Sequence, residues 1–186
     1  MSEDILIRHC APTLAGLKTG NIFTVSYLSE EELTEDLCRF NSILNEKGLR
    51  VMCLRKQNGR ALIYLFRPGR LHQDLSRSEA KAILQEFGYI ECHPEACVPI
   101  LMDRLSRCRD FPHEIGLFLG YPPEDVKGFI TSCGRDCKTC GYWKVYGDKA
   151  EAEKQFHRFR KCTEVYCKCM KRGIPLEKLA VKVRIS

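Results

Sequence analysis

With twelve cysteines and five histidines in 186 residues, the first question is which thiol could react and which base could serve it. The segment His9-Cys10-Ala11-Pro12-Thr13-Leu14-Ala15-Gly16-Leu17-Lys18 offers one answer. Proline suits the first position of a helical turn, because its missing N–H would be unpaired there anyway. Read that way, Pro12 puts Cys10 just ahead of a helix N-terminus, where backbone N–H groups and the helix dipole stabilise a thiolate. A nucleophilic thiol also needs a base within hydrogen-bond reach. His113, in Phe111-Pro112-His113-Glu114, fits that role, with Glu114 or Asp125 to orient it. The competing reading makes Cys10 a small buried hydrophobe, the usual fate of a free cysteine. Local signatures of cysteine proteases are absent.

A second thiol group lies near the end. Cys133, Cys137 and Cys140 have CxxxCxxC spacing, which can wrap thiolates around zinc or an iron–sulfur cluster. A fourth ligand would come from Cys162, Cys167 or Cys169. On one helix, Cys162 and Cys169 share a face but stand roughly 10 Å apart, and Cys167 points about 140° away from Cys162. That geometry predicts no metal ligands and no stoichiometric metal; it leaves the cofactor unassigned.

Between these cysteines lies Gly141-Tyr142-Trp143-Lys144-Val145-Tyr146-Gly147-Asp148, which holds the single tryptophan. Aromatic rings beside lysines can stack on flat ligands or bases; an aromatic strand packed on a helix has the same composition. The net charge of +6 is uneven. From Cys133 onward there are 14 Lys/Arg against 6 Asp/Glu, whereas residues 1–132 carry 16 against 18. A basic terminal third can face an acidic partner or simply be a solvated helix. No nucleic-acid-binding signature is present, which disfavours that partner.

The elements that must position these groups are marked by capping and periodicity. Ser29-Glu30-Glu31-Glu32 is a capping box, followed by Leu33, Leu37, Phe40 and Leu44 at helical spacing and a stop at Gly48. Ser76-Arg77-Ser78-Glu79 reads as a second box, closed by Gly88. Asp148-Lys149-Ala150-Glu151 opens a third helix, with Phe156, Phe159, Thr163, Tyr166 and Met170 on its inner face and Gly173 at its end. Prolines start short helices over 111–119 and 124–130. Strands are expected over 21–27, 49–56 and 60–66, and a weaker one over 142–146. Asn58-Gly59 supplies the positive φ angles of a tight hairpin turn. Strands and helices do not alternate as βαβ units. The expectation is therefore α+β: a small antiparallel sheet with a hairpin, covered by several helices, in a single domain over 1–186. No stretch approaches the roughly 20 apolar residues of a membrane span. The acidic start Met1-Ser2-Glu3-Asp4 lacks a signal-peptide pattern, so a cytoplasmic protein with reduced thiols is expected.

The blocks HCAPTLAGLKTGNIF, FPHEIGLFLGYPPEDVKGFI and GYWKVYGD resemble an uncharacterised bacterial family, a domain of unknown function of anaerobic Gram-positive bacteria, over about residues 5–172. The resemblance implies a setting beside iron-handling and flavodoxin genes and no defined activity. Its blocks fall on His9, Cys10, Lys18 and Asn21, on His113, Glu114, Tyr121 and Asp125, and on Tyr142, Trp143, Lys144 and Tyr146; Cys133 and Cys137 lie outside the pattern. If the three blocks converge, they form a small-molecule or cofactor pocket. One reading is a thiol-dependent enzyme with Cys10 and His113 as catalytic pair and Lys18 or Lys144 as anion contact. A second is a non-catalytic accessory protein of iron or flavodoxin-linked redox metabolism, docking an acidic partner. Nucleic-acid binding is the third.

Overall fold

The structure, a computed structural model, describes residues 1–108 and 110–183. These fold as an α+β protein with a three-stranded and a two-stranded antiparallel sheet. Contacts group into two compact units, residues 1–70 with 161–186, and residues 71–160.

In the first unit, α1 (Glu3–Leu14) buries Leu6, Ile7, Cys10, Ala11 and Leu14, the stripe expected of an amphipathic helix. The strands β1 (Gly20–Ser26), β2 (Arg50–Gln57) and β3 (Arg60–Phe66) form a sheet in the order β1-β3-β2. The turn at Asn58-Gly59 has φ angles of 50° and 70°, as the hairpin reading requires. Alternate residues Phe23 and Val25 of β1 and Ala61, Ile63 and Leu65 of β3 face one core with Leu6, Cys10 and Leu14. Helix α2 (Glu30–Leu44) adds Leu33, Phe40 and Leu44. Ser29 caps it as predicted, the Glu32 N–H donating to Ser29 Oγ at 3.1 Å, while the Glu32 carboxylate accepts from the N–H of Leu28, one residue before the N-cap, at 3.1 Å. A 3-10 turn, Asn45–Lys47, then leads to Gly48 at φ 70°.

Arg67, directly after β3, is 2 % exposed. Its guanidinium donates to the carbonyls of Thr13, Leu14 and Val181 at 2.7–2.9 Å and to that of Lys47 at 3.2 Å. Two of these are carbonyls of the last turn of α1, which also accept from the Gly16 and Val181 N–H groups, and there a cation meets the negative end of the helix dipole. Burial pushes its pKa down to about 10, with the nearby Arg70 adding to the effect.

The second unit contains the rest of α3 (Pro68–Leu75), then α4 (Ser78–Glu86), α5 (Pro94–Arg107), α6 (Ile115–Phe118) and α7 (Pro123–Thr131). The short strands β4 (Thr139–Cys140) and β5 (Lys144–Val145) follow, then α8 (Lys149–Lys171), whose residues from Lys161 on belong to the first unit; the last helix there is α9 (Leu176–Leu179). The Glu151 N–H donates to Asp148 Oδ1 at 3.0 Å, the cap read from the sequence. Two local expectations are corrected. Arg77, not Ser76, is the N-cap of α4, and Ser78 Oγ donates to the neighbouring Glu79 instead, because Ser76 directly follows the helix α3, which ends at Leu75. The helix expected over 111–119 shortens to the single turn of α6. Among the described residues no helix is long and apolar enough to cross a membrane.

Candidate functional site

The second and third sequence blocks meet, and the residue that joins them is Asp125. It lies in the first turn of α7 and is 3 % exposed. Its Oδ2 accepts from Trp143 Nε1 at 2.7 Å, and its Oδ1 accepts from the backbone N–H groups of Tyr146 and Gly147, both at 2.7 Å. A buried carboxylate is tolerated only when donors replace its lost water, and here three do. Tyr121 completes the seam: its hydroxyl donates to the Tyr142 carbonyl at 3.1 Å, and its ring stacks on Trp143 at 4.9 Å. Burial pushes the Tyr121 phenol up to about 12. The approach is close enough that a Cβ on Gly128 would collide with the Tyr146 ring. Lys144 Nζ donates to the Gly134 carbonyl at 2.6 Å and stands over the Phe129 ring, with which the exposed His113 makes a T-shaped contact at 4.8 Å.

Glu114 and Asp125 are not placed to orient His113. Glu114 is fully buried, and its Oε1 accepts from Arg104 and from the Tyr89 hydroxyl. Its other oxygen, Oε2, and the Tyr146 hydroxyl are buried without a hydrogen-bond partner among the described residues. Asp125 has both oxygens committed as described.

The first block belongs to the other unit. Cys10 does not precede a helix; it lies in the last turn and a half of α1, with Pro12 inside the same helix. Its side chain is 0 % exposed, and desolvation drives the thiol pKa far above the usual range, only partly offset by Lys18. This corrects the activated-thiol expectation: the N-terminal N–H groups that would stabilise a thiolate are two turns away. Lys18 is 4 % exposed and donates to the Gly20 carbonyl; burial lowers its pKa to about 7, while Cys10 pulls it back up. Asn21 Oδ1 accepts from the buried Thr13 hydroxyl at 2.7 Å. His9 is exposed on α1 and lies parallel to the Phe23 ring at 5.2 Å. These contacts give the first block a packing role.

Among the described residues no three His, Cys, Asp or Glu side chains group to hold a metal ion, and Cys133, Cys137 and Cys140 form no such set.

An open cleft of about 660 Å³ lies within the second unit, between the β4–β5 hairpin and α8. Tyr142 and Cys140 line one wall, and Glu153, Phe156, His157 and Arg160 line the other. Steps of four and three residues bring Glu153, His157 and Arg160 within about 60° of one another on the helix. Tyr142 packs on Phe156 at 5.8 Å and makes a T-shaped contact with Phe159 at 5.2 Å, and Trp143 makes another with Phe156 at 4.6 Å. The sequence blocks contained Tyr142. The opposing trio lay outside them, and its helical spacing was the only signal of it.

The chain belongs to the family described as Protein of unknown function (DUF3793), which matches residues 6–180. No curated protein and no solved structure matches it.

Proposed function

Starting from that membership, which assigns no activity, we propose that the protein binds a small flat anion in the cleft between the hairpin and α8. The ligand class is a planar ring carrying a carboxylate or phosphate. The observation that carries this reading is the convergence of the half-exposed Tyr142 ring with Arg160 and His157 around one open volume. Aromatic faces bind flat rings, and a guanidinium fork matches carboxylate and phosphate geometry. A volume of about 660 Å³ falls in the range of small-molecule sites. The paired rings behind Tyr142 fix its orientation before a ligand arrives, which lowers the ordering cost of binding.

Trp143, packed behind this wall, is a built-in reporter. Titration with flavin mononucleotide, adenosine monophosphate and salicylate should give saturable quenching with at least one of them. Arg160→Ala should weaken that binding about tenfold, the effect of losing one charge-assisted pair of about 1.4 kcal/mol. A response unchanged from wild type in Arg160→Ala and in Tyr142→Ala, or absent for all three probes, would remove the reading.

A second reading rests on α8 itself. Lys154, Arg158, Lys161 and Lys168 are exposed and fall within about 40° of one stripe. This surface suits electrostatic docking of an acidic protein, for which a flavodoxin is the test case.

A further inference from the structure

Away from the cleft, the second unit brings two imidazoles together. His72, on α3, and His93, the N-cap residue of α5, are both exposed, with Nδ1 to Nδ1 at 3.3 Å. Their ring planes are within 8° of parallel, and their centroids are 4.9 Å apart.

Both rings sit on anchored backbone. Leu71 and Leu75, on either side of His72, are fully buried. The His93 carbonyl accepts from the N–H groups of Ala96 and Cys97 at 3.1 and 2.9 Å. The thiol of buried Cys97 donates to the Glu91 carbonyl at 2.9 Å and so fixes the turn leading into His93.

Two Nδ1 atoms that face each other can share only one proton, since a neutral imidazole carries one N–H and one lone pair. With both protons on Nε2, two lone pairs face each other, and a cation is the natural occupant. Bonds of about 2.05 Å from zinc to imidazole nitrogen, set at the tetrahedral angle, place two ligand nitrogens about 3.3 Å apart. The observed separation already equals that edge. Imidazole nitrogen suits zinc and its neighbours in the first transition row, and exposure leaves two coordination positions for water or a partner's ligand.

We propose that His72 and His93 form a two-histidine chelate for a divalent zinc-like cation, tying α3 to the start of α5. The site is exchangeable, because two protein ligands hold less tightly than the four of a structural centre. No thiol serves as its ligand, and it shares no residue with the anion cleft.

The test is a zinc chloride titration of the full reduced chain, labelled with nitrogen-15 and followed through the histidine ring nitrogens. The Nδ1 signals of His72 and His93 should shift together, with one zinc per pair. In His72→Gln the response of His93 should require about 100-fold more zinc, as expected when a chelate becomes a single contact. Both side chains are exposed, so the substitution leaves the packing intact. An unchanged His93 response in His72→Gln would overturn the proposal. So would zinc uptake by the cysteines with neither ring responding.

Discussion

Replacing Asp125 by Asn changes one atom and should cost far more stability than a surface carboxylate could. The amide oxygen can keep the two backbone bonds to Tyr146 and Gly147. Its NH2 group then points at Trp143 Nε1–H, donor against donor, at the position now spanned by 2.7 Å. One charge-assisted bond is lost, and the buried indole N–H is left unpaired. Together these cost about 2–4 kcal/mol. That is a large share of a typical total of roughly 5–15 kcal/mol, so the protein should fold but unfold at clearly lower urea. Trp143→Phe removes the offending N–H. In that background the same Asp125→Asn change should cost less than about half as much, the signature of a direct coupling. Urea unfolding followed by far-ultraviolet circular dichroism reads all four proteins, including the two without tryptophan. An Asp125→Asn cost within about 0.5 kcal/mol of zero, the range of ordinary surface changes, would refute the account of Asp125 as the fastener of the second and third blocks.

Lys18 predicts a pH dependence. Its folded pKa, about 7, lies below the unfolded value of 10.5, so above pH 7 the unfolded chain binds the extra proton and stability rises with pH. Above about 9 the raised pKa of Cys10 acts in the opposite sense, because the unfolded thiol then ionises and the folded one does not. Urea midpoints should therefore climb between pH 7 and 9, and Lys18→Met should flatten the climb; equal slopes would exclude Lys18 as its source. Iodoacetamide should modify exposed Cys38, Cys108, Cys133 and Cys140 well before Cys10, which should label only as the protein unfolds; early Cys10 labelling by mass spectrometry would contradict its burial. Changing Lys154, Arg158 and Lys161 to Glu should abolish low-salt binding to a flavodoxin in a titration, with the wild-type interaction fading at several hundred millimolar salt as charges are screened. Equal binding of random duplex DNA would reduce the stripe to generic basic surface.

Where a signal was local and stereochemical, the sequence could be read directly. Ser29 and Asp148 cap helices because their oxygens lie three residues before a free N–H, and Asn58-Gly59 turns a hairpin because both residues accept positive φ. Pro12 misled because proline has two meanings in a helix. Its missing bond falls on the carbonyl of Arg8, an exposed residue where water can substitute, so α1 runs through it and carries Cys10 inward. The two histidines and the cleft were hidden for another reason. His72 and His93 are 21 residues apart, and Tyr142 meets Arg160 only through the fold, so no spacing rule connects them. Asp125 is an intermediate case: a polar residue early in a proline-led helix looks like an ordinary first-turn acid, and only its three partners reveal a fastener.

The shell around Arg67 also bears on the order in which the chain can fold. Its acceptors come from Thr13 and Leu14, from Lys47 and from Val181, the last separated from it by 114 residues. During synthesis, β3 and the end of α1 exist long before the final acceptor emerges, and until then a cation destined for burial has one carbonyl too few. The acceptors from Thr13, Leu14 and Lys47 are in place by then, and the Val181 carbonyl supplies the remaining one. A buried guanidinium thus ties the latest segment of the first unit to its earliest, since leaving one of its donors unpaired would cost free energy.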